Sequence, residues 1–227
     1  MRDLIKQEQF ELEVLENLTN RKLLNGFVFT GGTMLRLCFG LNRYSVDLDF
    51  WTIKDIDFDR RFAEMNIFLQ KIYQVKDADL KKCTLLFEVR SSHYPRNLKI
   101  EIRRELKNRD TEEAIAYSAH SNRQILLRVA SLPEMMRAKV AALIDRNEIR
   151  DAFDIEFLLK KGIPIPNDKK LLEGMLLEIH KFIKTDTTSK LGLILEGEQR
   201  KYYVSENFKI LKLAIKEKLI EFGENPT

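Results

Sequence analysis

Apolar positions in the first half of the chain recur with two different periods. In residues 3–24 and 57–74 they return every three to four positions, as in a helix that buries one face. In residues 98–106 apolar and polar positions alternate, as in a strand with one buried face. Shorter elements are expected as strands at 27–29, 47–53 and 83–90, and as a helix at 34–40. The first half therefore predicts a small mixed sheet with helices against it.

The second half has a helical pattern almost throughout. Helices are expected at 133–146, 150–161, 168–184 and 200–222, with a break at Gly162-Ile163-Pro164. The predicted fold class is α+β, a small mixed β-sheet core flanked by helices and followed by a C-terminal helical bundle. The predicted domains are an α/β domain at 1–120 and a helical bundle at 121–227.

Composition excludes several classes of protein. Of the 227 residues 44% are hydrophobic and 33% are charged, which is typical of a soluble globular protein. No apolar run is long enough for a membrane span, and the charged N-terminus is not a signal peptide. Two cysteines and three scattered histidines are too few for a zinc site or a disulfide framework, so a cytoplasmic location is expected. The net charge of +4 permits a nucleic-acid partner without indicating one.

Two aspartates open the strand predicted at 47–53. Asp47 and Asp49 are two positions apart, so their carboxylates lie on the same face of a strand. Carboxylates this close repel each other unless a cation lies between them, and Mg²⁺ often uses one or two of them together with substrate phosphates. The alternative is the polar, solvent-facing side of an ordinary strand, which is the commoner explanation of an isolated pair.

A glycine turn comes shortly before these aspartates. Gly31, Gly32 and Thr33 follow a predicted strand and precede a predicted helix, where backbone amides can approach a phosphate and Thr33 can donate its hydroxyl. The alternative is a simple turn with Thr33 as the N-cap of the helix. The segment has no GKS or GKT sequence, so it is not a Walker loop.

Together the two motifs predict a phosphate site and a metal site on neighbouring strands. A third carboxylate is expected from another strand, and Glu101 is the candidate because it lies on the polar face of residues 98–106. Glu101 also fits a plain surface alternation, and Glu88 is the second choice.

These motifs resemble a known family. The chain is similar to the polymerase β-like nucleotidyltransferase superfamily and, within it, to the AbiEii/AbiGii toxins. The resemblance rests on two blocks, at about 27–53 and 133–161. The first contains Gly31-Gly32-Thr33, Leu35-Arg36-Leu37, Gly40 and the run RYSVDLDF from Arg43 to Phe50. The second contains Lys139, Arg146 and the sequence RDAFD from Arg150 to Asp154.

The resemblance implies roles for the residues of both blocks. It implies that Lys139 contacts nucleotide phosphates, so that the helical domain contributes to the cleft, and that an aspartate of the RDxxD block is required. Asp151 is expected near the nucleotide, and Asp154 is expected to have the more structural role. For Arg146 and Arg150 the alternative is a salt bridge that joins two helices.

Two further arginines flank the glycine turn. Arg36 and Arg43 are expected either to bind phosphate or to lie on the surface.

The implied activity is transfer of a nucleoside monophosphate from an NTP to an acceptor, with release of pyrophosphate and with Mg²⁺ or Mn²⁺ held by Asp47, Asp49 and Glu101. The implied acceptor is RNA, in particular tRNA, and the implied partner is a separate antitoxin protein of a type IV system. The alternatives are transfer to a protein hydroxyl, or a degenerate module that only binds nucleotide.

A basic segment bears on the RNA acceptor. Residues 96–109 contain six basic and two acidic residues. They either follow an RNA backbone or form a basic edge strand.

Overall fold

The computed structural model of the chain describes residues 2–195 and 197–224. Two compact units, Met1–Ser131 and Leu132–Thr227, make up the fold. The division lies later than the predicted boundary at 120/121. The difference arises because a strand at Gln124–Ala130 belongs to the first unit.

The first unit is built on a seven-stranded mixed sheet. Its strands are β1 (Phe27–Thr30), β2 (Asp47–Thr52), β3 (Gln74–Leu80), β4 (Thr84–Arg90), β5 (Leu98–Leu106), β6 (Thr111–Tyr117) and β7 (Gln124–Ala130). Their order is β3-β4-β5-β2-β1-β7-β6, with parallel pairing at β2–β5 and β1–β7 and antiparallel pairing elsewhere. The predicted mixed sheet is therefore confirmed, and β2 lies at its centre.

Three helices pack on this sheet. They are α1 (Arg2–Asn20), which contacts β5 and β7, α2 (Gly31–Phe39), which contacts β2 and β6, and α3 (Phe58–Ile72), which contacts β3 and β4. The core beneath them contains the buried side chains that alternate along the central strands, such as Leu48, Phe50, Ile100 and Ile102. This alternation leaves the intervening polar residues on the other face of the sheet.

The second unit is helical, as predicted. It contains α4 (Leu132–Arg146), α5 (Ile149–Lys160), α6 (Lys169–His180), a short π-helical segment (Asp186–Leu191), α7 (Gly197–Glu206) and α8 (Lys209–Glu224). The single helix predicted at 200–222 is wrong, because Asn207 and Phe208 have positive φ angles of 42° and 57° that separate α7 from α8. Among the helices in the described ranges, none is long and apolar enough to cross a bilayer.

Several predicted boundaries differ from the observed ones. The first helix ends at Asn20 rather than at residue 24, because the chain turns at Lys22, whose φ is 57°. Strand β5 lies between β4 and β2, so the alternative of a basic edge strand for residues 96–109 is wrong.

Candidate active site

The proposed metal ligands lie on β2 and β5. Asp47 and Asp49 are half-buried, whereas Leu48 and Phe50 between and after them are buried in the core. In the parallel pair, Asp47 is opposite Lys99 and Asp49 is opposite Glu101. Residues directly opposite each other share a face of the sheet, so the three predicted carboxylates share the face that is turned away from the core.

The same register separates the two candidates for the third carboxylate. Glu101 is the neighbour of Asp49 across one strand pair. Glu88 lies one strand further away, opposite Lys99, and its carboxylate accepts a hydrogen bond of 2.6 Å from the Asn97 amide. Strand pairing therefore favours Glu101 as the partner of Asp49.

A lysine lies among these carboxylates. The Lys99 Nζ is 2.6 Å from the Glu101 Oε2, and the side chains of the two residues are 44% and 27% exposed. The hydrogen bond to Glu101 raises the pKa of Lys99, and the charges of Glu101, Asp47 and Asp49 act in the same direction against the effect of desolvation. Within the described residues, no three His, Cys, Asp or Glu side chains are grouped to hold a metal ion. Asp47 and Asp49 still fit Mg²⁺, which needs only one or two carboxylates beside phosphate oxygens.

The two glycines make room for side chains of the site. Gly31 has a φ of 81°, and a Cβ built on it would lie 2.5 Å from the Asp49 Oδ2. A Cβ on Gly32 would lie 2.6 Å from the Arg43 Nη2 and 2.9 Å from the Ser45 Oγ. The turn therefore lets Asp49 and Arg43 come against the backbone at the start of α2.

Thr33 lies inside the first turn of α2 and is fully buried. Its hydroxyl donates a hydrogen bond of 2.6 Å to the backbone carbonyl of Asp47. The helix begins at Gly31 after Thr30, so the alternative of Thr33 as the N-cap is wrong. Thr33 instead ties the helix to the first residue of β2.

Neither arginine near the turn is a surface residue. The Arg36 guanidinium pairs with Glu8, donates to the Leu41 carbonyl at 3.3 Å and lies 3.7 Å from the centre of the Tyr44 ring. Arg43 is 3% exposed and donates to the Tyr44 carbonyl at 3.1 Å. The contacts of Arg36 are therefore with Glu8 and Tyr44, whereas Arg43 lies beside Gly32.

The second block forms a buried ion cluster in the helical unit. The Lys139 Nζ is 3.2 Å from the Asp151 Oδ1 and 2.7 Å from the Asp154 Oδ2, and both carboxylates are fully buried. Arg146 donates two hydrogen bonds of 2.8 Å to Asp151, one to each oxygen. Arg150 is exposed. The predicted link between two helices is thus made by Lys139 and Arg146, from α4 to α5.

Sequence reasoning missed two residues near the proposed site. Lys99 was detectable, because strand alternation places it on the same face as Glu101. Glu11 is 1% exposed on α1, and burial, followed by the charge of Glu8, raises its pKa well above the usual value. The charge of Asp47 acts in the same direction. The sequence feature that indicates Glu11 is a carboxylate among the apolar residues of the buried face of α1.

Comparison with protein families decides the identity of the fold. The model of the nucleotidyl transferase AbiEii toxin family, of type IV toxin–antitoxin systems, matches residues 13–209. The chain belongs to this family. It is therefore an AbiEii-type nucleotidyltransferase, and the resemblance of the two sequence blocks is confirmed.

Solved structures of similar fold include two from Helicobacter pylori. A proposed nucleotidyltransferase superimposes with a TM-score of 0.56 at 20% identity, and JHP933 with a TM-score of 0.52 at 20% identity. Each comparison covers 92% of this chain and 97% of the other. At this identity the comparisons establish the fold of this AbiEii-type chain, α+β with a mixed sheet. A search of curated protein sequences finds no match.

Proposed function

We propose that this AbiEii-type enzyme transfers a nucleoside monophosphate from an NTP to a hydroxyl of RNA, in particular of tRNA, and releases pyrophosphate. The observation that carries the proposal is the register of β2 and β5. It puts Asp47, Asp49 and Glu101 on one face, beside the glycine turn that begins α2.

Asp47 and Asp49 are proposed to hold the divalent cation, Mg²⁺ or Mn²⁺, and Glu101, which pairs with Lys99 in the structure, is proposed to join them as the third ligand when that ion pair opens. Such an ion, when bound, offsets negative charge on the attacking and leaving oxygens. Their partial burial supports this role, because paired carboxylates of low exposure favour a cation between them.

The start of α2 is proposed to bind the NTP phosphates. Gly31 and Gly32 carry no side chains of their own, so Asp49 and Arg43 lie close to the backbone at the helix N-terminus, and Arg43 brings a positive charge beside Gly32. Thr33 contributes by fixing α2 to Asp47, and Arg36 by fixing it to α1 through Glu8. Glu101 orients the acceptor hydroxyl and takes its proton.

For Lys139 we propose the role that the family resemblance implies, contact with the nucleotide phosphates. Its side chain is 10% exposed and is held by Asp151 and Asp154. Since Asp151 is fully buried, we assign it to positioning Lys139 and Arg146 rather than to contact with nucleotide.

RNA is the proposed acceptor because the segment that contains β5 carries more basic than acidic residues. Residues 96–109 contain six basic residues, and Arg103 shares the face of Glu101. A phosphate backbone is attracted by such a surface whatever its sequence. We further propose that the protein acts in the cytoplasm and that a separate antitoxin protein controls it, as the family description implies.

The test is incubation of the purified protein with each α-labelled NTP, Mg²⁺, tRNA and total cell protein. We expect label on RNA, and we expect Asp49→Asn to reduce the rate by at least about 100-fold, since it removes a ligand that offsets transition-state charge. The matched control is Asp79→Asn, on the exposed edge strand β3, which should retain the wild-type rate.

Three other outcomes would contradict parts of the proposal. Label on protein alone would refute the RNA acceptor. No transfer, together with equal NTP binding by the wild type and Asp47→Ala, would indicate a module without catalysis. In cells, expression should slow growth, and a toxic effect that persists in Asp49→Asn would show that toxicity does not come from catalysis.

A further inference from the structure

Lys99 lies on the same face of the sheet as the proposed metal ligands and forms an ion pair with one of them, Glu101. It is opposite Asp47 in the β2–β5 register and two residues before Glu101, so all these side chains share one face. Its ammonium is 2.6 Å from Glu101.

The ion pair between Lys99 and Glu101 is not a locked structural bridge. Both side chains are partly exposed, at 44% and 27%, whereas the carboxylates of the Lys139 cluster are fully buried. A lysine ammonium is a compact charge on a flexible four-carbon stem, so it can leave one carboxylate without a change of the backbone. Exposed pairs of this kind are also weak.

We propose that Lys99 is a built-in counter-ion of the site, which competes with the divalent cation for Glu101. The inference rests on the proposed function, because it assumes that Asp47 and Asp49 hold that cation. While Lys99 holds Glu101, this carboxylate is occupied by the ammonium. When Lys99 moves away, Glu101 can turn to the ion.

The proposal predicts that loss of the lysine charge tightens binding of the ion. Lys99→Met keeps most of the stem but removes the ammonium that competes for Glu101. We expect about tenfold tighter Mn²⁺ binding, which corresponds to about 1.4 kcal/mol. Lys99→Arg keeps the positive charge and should bind Mn²⁺ within about threefold of the wild type.

The experiment is a titration of the full-length protein with Mn²⁺, followed by electron paramagnetic resonance of the free ion, without nucleotide. The matched control is Lys107→Met, because Lys107 forms the same kind of pair, at 2.8 Å, with Glu105 near the far end of β5. It should leave Mn²⁺ binding unchanged. Circular dichroism and thermal melting establish that each variant is folded.

A titration of Asp49→Asn separates the two proposals. If Asp49→Asn loses Mn²⁺ binding but Lys99→Met binds no more tightly than the wild type, the counter-ion role is refuted and the metal site stands. If Asp49→Asn binds Mn²⁺ as the wild type does, the proposed metal site is wrong and the counter-ion role falls with it.

Discussion

Gly31 and Gly40 have nearly the same backbone conformation but different surroundings. Their φ angles are 81° and 78°, a region that costs an L residue about 1–2 kcal/mol. A Cβ on Gly31 would meet the Asp49 carboxylate at 2.5 Å. On Gly40 it would meet no heavy atom of the described residues within 4 Å. A substitution at Gly40 therefore introduces backbone strain alone, whereas the same substitution at Gly31 also introduces a contact with Asp49.

We expect Gly31→Ala to reduce nucleotidyl transfer by about 100-fold, because the new methyl group displaces Asp49. The strained backbone should cost each variant about 1–2 kcal/mol of stability. Gly40→Ala should nevertheless retain the rate of transfer. Rates measured beside urea unfolding curves distinguish the two effects. Equal losses of activity in both variants would show that strain, rather than Asp49, is responsible.

Glu11 is a buried carboxyl group close to the charges of the site. Within the described residues, neither of its carboxylate oxygens has a hydrogen-bond partner. Burial raises its pKa well above 4.5, with Glu8 and Asp47 adding to the effect and Arg36 opposing it. The folded protein therefore holds this proton more tightly than the unfolded chain does.

This difference makes stability depend on pH. The contribution of Glu11 is fully present below pH 4.5 and decreases as the pH rises towards its folded pKa. The unfolding free energy of the wild type should therefore fall between pH 5 and pH 8 relative to that of Glu11→Gln, whose amide stays neutral at both. Urea unfolding at pH 5 and 8 measures it. Glu16→Gln, on the same helix but partly exposed, is the control, and equal slopes for Glu11→Gln and the wild type would contradict the argument.

How much of the site could be predicted depends on the range of the interactions. The spacing of Asp47 and Asp49 places both on one face of any strand, so local geometry was sufficient. The pairing of Glu101 with Asp49 and Lys99 with Asp47 depends on strand register, which tertiary packing determines. The close approach of Gly31 to Asp49 likewise required the folded chain.

At the scale of elements, Lys139 and Arg146 of α4 are joined to two buried carboxylates of α5. Lys139 lies within 3.2 Å of Asp151 and 2.7 Å of Asp154. A buried carboxylate that loses its cation keeps the cost of desolvation without the compensating attraction. The cluster is therefore a point at which the helical unit is sensitive to substitution.

Lys139→Met should lower the free energy of unfolding by about 3 kcal/mol. The control is Arg137→Met on the same helix, where the Arg137 side chain is 57% exposed and pairs with Glu134, and it should cost less than about 1 kcal/mol. Thermal and urea unfolding measure both. Similar small losses in the two variants would show that the buried cluster adds little to stability.

Strands were missed where apolar residues do not alternate with polar ones. On β6 and β7, Ile115 and Leu126 face each other and are about half exposed, at 49% and 58%. These exposed apolar residues obscure the period of two by which a strand is recognised. Edge strand β3, with the sequence QVKDADL, has no fully buried residue and hence no core-facing signal.

At the scale of the whole molecule, the division into a sheet and a helical bundle was predictable from the change of period along the chain. The boundary was not, because β7 lies after the apparent change and joins the sheet through a parallel pair with β1. Only contacts between distant segments assign such a strand to its unit.

The pairing of β1 with β7 has a consequence for the order in which the chain can complete its fold. Phe29 is opposite Val129, so β1 cannot pair with β7 until almost the whole first unit has been synthesised. The strands that carry Asp47, Asp49 and Glu101 are synthesised well before that point. During this interval the apolar strand FVFT keeps one open edge, which is a surface that other chains can pair with. Co-translational folding of this enzyme is therefore exposed to aggregation at a stage when the strands of all three proposed metal ligands have already been synthesised.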